Sequence, residues 1–327
     1  MSSLVFRGGL LSGQVAIVSG GGSGIGRTTA LELAALGAQV VICGRREGPL
    51  ARTAADAGRA ADAGRAEGAA GTSGTRGPGE TGETGGPGET GGPGDTGGPG
   101  DTGEVGGRVT PLVCDIREEE QVDALVSAVL ERHGRIDLLV NNAGGQFLAP
   151  AEQISARGFR AVMRLNVEGT WLMTHAVATR AMIPAGGGKI VSVTLSPHNG
   201  MPGMAHSGAA RAAVENLMRS LAVEWARFGI RCNAIAAGQI ATEAMLSKYP
   251  SQITEMVAST IPAGRLGTPE EIAWMVAHLA SPAGDFTSGS VITVDGARDN
   301  WLGQWPPRWG ADAAGTPLSE QRPDSAV

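Results

Sequence analysis

Seven short apolar runs alternate with longer stretches of helical period, and this alternation limits the fold more than any other feature of the chain. The runs are QVAIVSG (14–20), AQVVICG (38–44), VTPLVCDI (109–116), IDLLVN (136–141), GGKIVSVTL (187–195), IRCNAIAAG (230–238) and SVITVDG (290–296). Between them, GIGRTTALELAALG reads as a helix stopped at Gly37. REEEQVDALVSAVLERHG sets Val122, Leu125, Val126, Val129 and Leu130 on one face, with acids in its first turn and Gly134 at its end. SGAARAAVENLMRSLAVEWARFG and PEEIAWMVAHLASP follow the same rule. Strands alternating with helices of this length predict a parallel sheet of about seven strands with helices on both faces. Such a doubly wound α/β fold binds ligands at the carboxyl ends of its strands.

One segment breaks the pattern. Residues 79–105 place glycine at every third position, as GET GET GGP GET GGP GDT GGP GDT GEV, after a repeated alanine-rich and glycine-rich stretch. The composition predicts a collagen-like, disordered insertion over 53–107, because it offers too little apolar surface to offset its ordering entropy. Residues 310–327 read as a flexible tail, while Trp301, Trp305 and Trp309 are candidates for a pocket edge or a subunit contact. The remaining chain is one domain.

The formal charge of −6 and the lack of a long basic run exclude a nucleic-acid surface. Cys43, Cys114 and Cys232 lie in apolar runs and read as buried reduced thiols, too scattered for a metal site. No run approaches the roughly 18 apolar residues of a membrane span. The first residues have no apolar run of signal-peptide length, and the ending DSAV is unlike a peroxisomal SKL address. A cytoplasmic protein is expected.

SGGGSGIG (19–26) joins the first strand to the first helix, where glycines let backbone N–H groups approach a pyrophosphate at a positive helix end. The second strand ends in Cys43-Gly44 without the acid that holds the ribose hydroxyls of NAD. Arg45 and Arg46 follow instead, a guanidinium pair suited to a 2′-phosphate, so NADPH is the expected cofactor. A solvated basic turn is the plainer alternative.

These features, with NNAG (141–144), Asn166 in MRLNVEGT and the stretch from GRLGTPEEIAW to ITVDG, resemble the short-chain dehydrogenase/reductase family, whose domain is Rossmann-type. LLSGQVAIV, NNAGGQFLAPAEQIS and HSGAARAAVENL are closer still to its trans-2-enoyl-CoA reductases, and more distantly to its 2,4-dienoyl-CoA reductases. The resemblance implies that Gly20, Gly24 and Gly26, in a loop with Ser23 and Ile25, hold the pyrophosphate. It implies that Asp115 and Ile116 touch adenine, and that Asn142, Ala143 and Gly144 lie on the ribose side. Gly238, Ile240 and Thr242 would hold the nicotinamide amide, and Asn166 would kink its helix and hold water. A homotetramer is also implied.

The family's tyrosine and lysine positions are here Ser207 and Arg211. Spacing of i, i+4 puts both on one helix face. Arginine keeps a charge but donates no proton, and serine is too weak an acid to protonate an alkoxide. An enolate asks only for a hydrogen-bond donor near the thioester oxygen, which suits reduction of a trans-2-enoyl-CoA, an acyl-CoA-type substrate. His206 and His198 are candidate proton sources, and Thr194 or Ser196 candidates for the family's assisting hydroxyl. Two alternatives stay open: a carbonyl or alcohol oxidoreductase with a relocated acid, and a catalytically silent NADP-binding or scaffold protein.

Overall fold

The computed structural model describes residues 3–70, 108–196, 199–248 and 250–301, with only the backbone described over 60–70 and at Lys248. The triplet segment 79–105, His198, Trp305, Trp309 and the tail 310–327 lie outside the described residues.

All seven apolar runs form strands: β1 (Val15–Ser19), β2 (Gln39–Gly44), β3 (Val109–Val113), β4 (Leu138–Asn141), β5 (Gly188–Leu195), β6 (Ile230–Ala237) and β7 (Val291–Val294). They make one parallel sheet in the order β3-β2-β1-β4-β5-β6-β7. Each strand sends alternate side chains to opposite faces. Ile17, Val41, Leu139 and Ile190 join a core on one face; Ala16, Val18, Val40 and Val140 join a second core on the other. Both faces are covered, as a near-continuous apolar strand requires.

The predicted helices are α1 (Gly24–Ala35), α3 (Glu119–His133), α7 (Ala205–Glu224) and α10 (Pro269–Ala280). Gly37 takes φ +103° just past α1, and Gly134 takes φ +71° at the end of α3, the left-handed geometry that favours glycine. Thr268 and Glu271 cap α10 reciprocally. Elements without a clear periodic signal are α8 (Glu243–Lys248) and α9 (Ser251–Ala258). The segment after β4 forms α4 (Ala156–Met163), α5 (Gly169–Val177) and α6 (Ile183–Ala185), joined by π-helical turns.

One expected boundary moves. Helix α2 runs Glu47–Ala70, so residues 53–70, read from composition as part of a disordered insertion, are helical. No proline follows Pro49 in this stretch, alanine is the best helix former, and Thr53 is fully buried. The three cysteines are free and buried, as expected.

Among the described residues no helix is long and apolar enough to cross a membrane. Ile17 is fully buried on the central strand. Its replacement by alanine should destabilise the fold by about 2–5 kcal/mol, measured as a lower denaturation midpoint in urea at unchanged slope.

Candidate active site

The strand order reverses between β1 and β4, and the two strand ends part into a crevice. Backbone N–H groups of Asn142 and Ala143 both donate to Ser19 Oγ at 3.0 Å, and Asn142 Nδ2 donates to the Ser19 carbonyl at 3.0 Å. Gly20 turns the chain with φ +71°, and a Cβ there would lie 2.8 Å from Asn142 Nδ2. A Cβ on Gly26 would overlap both that nitrogen and the Gly20 carbonyl oxygen. Gly24 opens α1 at φ +52°. These close approaches leave bare backbone and a helix N-terminus at the crevice, the surface a pyrophosphate needs.

A cleft of about 310 Å³ runs along this edge. It brings together Gly20, Ser23, Ile25, Arg45, Arg46, Asp115, Ile116, Asn142, Ala143, Gly144 and Thr242, all of them predicted from the sequence. Arg45 and Arg46 are exposed at its rim. The Arg117 guanidinium beside Asp115 holds that carboxyl below the usual range, with Arg45 adding a smaller pull. Thr242 sits across from Gly24, where a Cβ would be 3.4 Å from its methyl. Gly238 and Ile240 do not line the cleft. Gly238 is pressed against Asp295, and Ile240 is buried and bridged to Gly267, so both support the Thr242 loop from behind. The shape and polarity of this edge fit a dinucleotide.

Helix α7 presents Ser207 and Arg211 on one face. Ser207 is buried, and its hydroxyl donates to Gln146 Oε1 at 2.7 Å. Gln146 was not anticipated: it follows NNAG in an exposed loop, and no motif marks a contact 61 residues away. Arg211 Nη1 donates to the Val193 carbonyl at 3.0 Å, and its guanidinium fills the place a Gly144 Cβ would occupy. Burial pushes Arg211 down to about 10, so it remains charged near neutral pH.

The two candidate assisting hydroxyls are both committed elsewhere. Thr194 Oγ1 donates to the buried Glu215 at 2.8 Å, and Ser196 Oγ donates to Asp295 at 2.6 Å. His206 is fully enclosed, with its ring 4.2 Å from Phe147 and neither ring nitrogen hydrogen-bonded to a described residue. Trp301 is half-buried beside Arg298, which donates to its carbonyl. Among the described residues no cluster of three metal-ligating side chains occurs.

Asn166 lies in the π-helical turn Arg164–Glu168, fully buried. Its Nδ2 donates to the carbonyls of Gly145 and Val162 at 2.8 Å each, and its Oδ1 accepts from Gly145 N–H at 3.2 Å. The side chain thus replaces a helix hydrogen bond and ties the kink to the NNAGGQ loop. Asn166→Ala strands buried backbone groups and should cost about 1–3 kcal/mol per group left unpaired, read by urea denaturation. The same variant should loosen residues 144–146, read as faster amide exchange there.

The family model described as enoyl-(acyl carrier protein) reductase matches residues 102–297, and the short chain dehydrogenase model matches residues 14–72. A peroxisomal 2,4-dienoyl-CoA reductase of Danio rerio is 30% identical over 301 residues, covering 91% of this chain and 85% of that protein. The solved citronellol catabolism dehydrogenase AtuB of Pseudomonas aeruginosa is 38% identical, with a TM-score of 0.69 over 90% of this chain and 98% of that one. A gluconate 5-dehydrogenase of Burkholderia cenocepacia, solved with NADP and tartrate, is 30% identical, with a TM-score of 0.70 over 89% of this chain and 97% of its own. The glycine crevice, the sheet order and these matches agree: the chain belongs to the short-chain dehydrogenase/reductase family of oxidoreductases, near its dienoyl-CoA reductases.

Proposed function

We propose that this protein is an NADPH-dependent oxidoreductase that reduces the α,β double bond of a trans-2-enoyl-CoA or related acyl thioester. The observation that carries the reading is the Ser207–Gln146 hydrogen bond with the Arg211 charge on the same helix face. A dinucleotide held along Gly20, Asn142 and Thr242 would supply the hydride that the β-carbon receives. Charge then collects on the thioester oxygen as an enolate. Ser207 O–H, now held by Gln146 Oε1, is the donor that turns to that oxygen. The Gln146 amide N–H groups offer a second donor from the same loop. The fixed Arg211 charge stabilises the anion without giving up a proton. The α-carbon takes its proton from solvent, because the His206 ring is sealed against Phe147.

Arg45 and Arg46, following a strand that ends without an acid, favour NADPH over NADH. The relatives named 2,4-dienoyl-CoA reductases support a thioester substrate. Exposed Phe159 and Trp171, flanking Met163 and Val167 along α4, the π-helical turn after it and α5, support self-association, and a homotetramer is part of the proposal. A cytoplasmic location belongs to the same proposal. A second reading, oxidation of a polyol, draws on the likeness to gluconate 5-dehydrogenase. It needs a base at Ser207, and neither Gln146 nor a charged arginine is one.

An NADPH-oxidation screen over trans-2-enoyl-CoAs of several chain lengths, with gluconate-type alcohols and NADP in parallel, decides between them. Turnover of at least one enoyl-CoA is expected. Ser207→Ala should lower kcat by about 100-fold while NADPH affinity stays within twofold, as for removal of one oxyanion donor. Arg211→Ala should weaken both. Alcohol oxidation without enoyl-CoA reduction would overturn the proposal.

A further inference from the structure

Helix α7 carries three polar side chains on one stripe, Ser207, Arg211 and Glu215, at i, i+4 and i+8. The proposed chemistry uses the first two. Glu215 is 4% exposed, a burial that glutamate rarely reaches unless it is paired. Its Oε1 accepts from Thr194 Oγ1 at 2.8 Å. The same hydroxyl has a rival acceptor on β6, the Ile235 carbonyl, at the longer distance of 3.4 Å.

Arg211 and Glu215 are anchored on consecutive residues of β5, and the sheet explains why. Lys189 N–H donates to the Asp137 carbonyl, so odd-numbered residues of β5 aim their backbone groups toward β4. Pairing with β4 ends at Asn141 and Ser192, and the next ladder N–H, that of Ala143, is taken by Ser19 Oγ. The Val193 carbonyl is thus left open to Arg211 Nη1, at 3.0 Å. Even-numbered side chains at this end of β5 face α7 instead. Ser192 donates to the Met218 sulfur, a weak acceptor, and Thr194 to the Glu215 carboxylate, a strong one.

We infer that Glu215 is a positioning residue, which through Thr194 fixes how α7 lies on β5 and so where Ser207 stands, a role that rests on the reading of Ser207 as the enolate donor. One contact leaves a helix free to rock, whereas two contacts a turn apart hold it. With the Arg211–Val193 bond as pivot, Ser207 and Glu215 stand on opposite sides, each about 6 Å along the helix axis. Release of the Glu215 end therefore moves the Ser207 end by a similar amount. A shift of about 1 Å in a positioned group can cost ~100-fold in rate. Without the carboxylate, the Thr194 hydroxyl turns to Ile235 inside the sheet, and its tie to α7 is gone.

Two pairs of variants in the full chain separate this role from simple packing. Thr194→Val and Glu215→Met break the bond at nearly constant volume, while Thr194→Ser and Glu215→Gln keep a hydroxyl and an acceptor oxygen. The breaking pair should lower kcat for an enoyl-CoA about tenfold with KM within about twofold, and the keeping pair should stay within about twofold of wild type in both. Amide exchange without substrate gives a second readout. In the breaking pair it should be about fivefold faster at Gly145, whose N–H is held by Asn166, and at Ser207 and Gly208 in the first turn of α7. It should be unchanged at Ile17 and Val41 in the sheet. Exchange raised alike at all these amides, no change at any of them, or keeping variants as impaired as breaking ones overturns the proposal. If the wild-type chain reduces no enoyl-CoA, the proposed function fails, and the exchange pattern still decides the role of Glu215.

Discussion

The hydrogen bonds between Ser19 and the Asn142–Ala143 backbone are the constraint on which the site depends. They close the place where two neighbouring parallel strands, β1 and β4, lead into connections on opposite sides of the sheet. With the strand ends pinned there, Asn142 Nδ2 reaches across to the Ser19 carbonyl, and Gly20 and Gly26 have no room for a side chain. The bare backbone of the glycine loop follows from that crowding. So does the path of the next four residues, which delivers Gln146 to Ser207.

A second consequence concerns charge. Arg211 sits at the back of this path, enclosed enough that its guanidinium is pushed down to about 10, yet still cationic at neutral pH. One N–H group is spent on the Val193 carbonyl, and the remainder of the group lies against Gly144. A buried cation is costly unless an anion can be brought to it. Asn166, through Gly145, and Gln146, through Ser207, hold the loop between that cation and the Ser207 hydroxyl.

The helix that follows β2 has two roles. Its second turn places Arg52 in the wall of a cavity that Arg46 also lines, and Asp56 anchors it to α1 through Arg27. That anchoring explains why the alanine-rich stretch after Thr53 is ordered as helix despite a composition shared with the repeat beyond it. Burial of Thr53 and an interhelix ion pair supply what propensity alone leaves marginal.

By itself the sequence determined the strand–helix alternation, the glycine crevice and the i, i+4 pair on α7, because each is a local pattern with a fixed period or a fixed steric demand. The parallel sheet and its seven strands were legible for that reason, whereas most of the eleven cleft-lining positions named above followed from the resemblance to the family. Tertiary structure alone decided the partners. Ser207 meets Gln146 from a distant loop, Thr194 turns to Glu215 and Ser196 to Asp295, and the His206 ring is closed off by Phe147. Gly238 and Ile240 fall behind the cleft because their strand end is pressed against Asp295 and Gly267. None of these contacts has a period or a spacing. Each depends on where two separate segments come to rest after the core has packed.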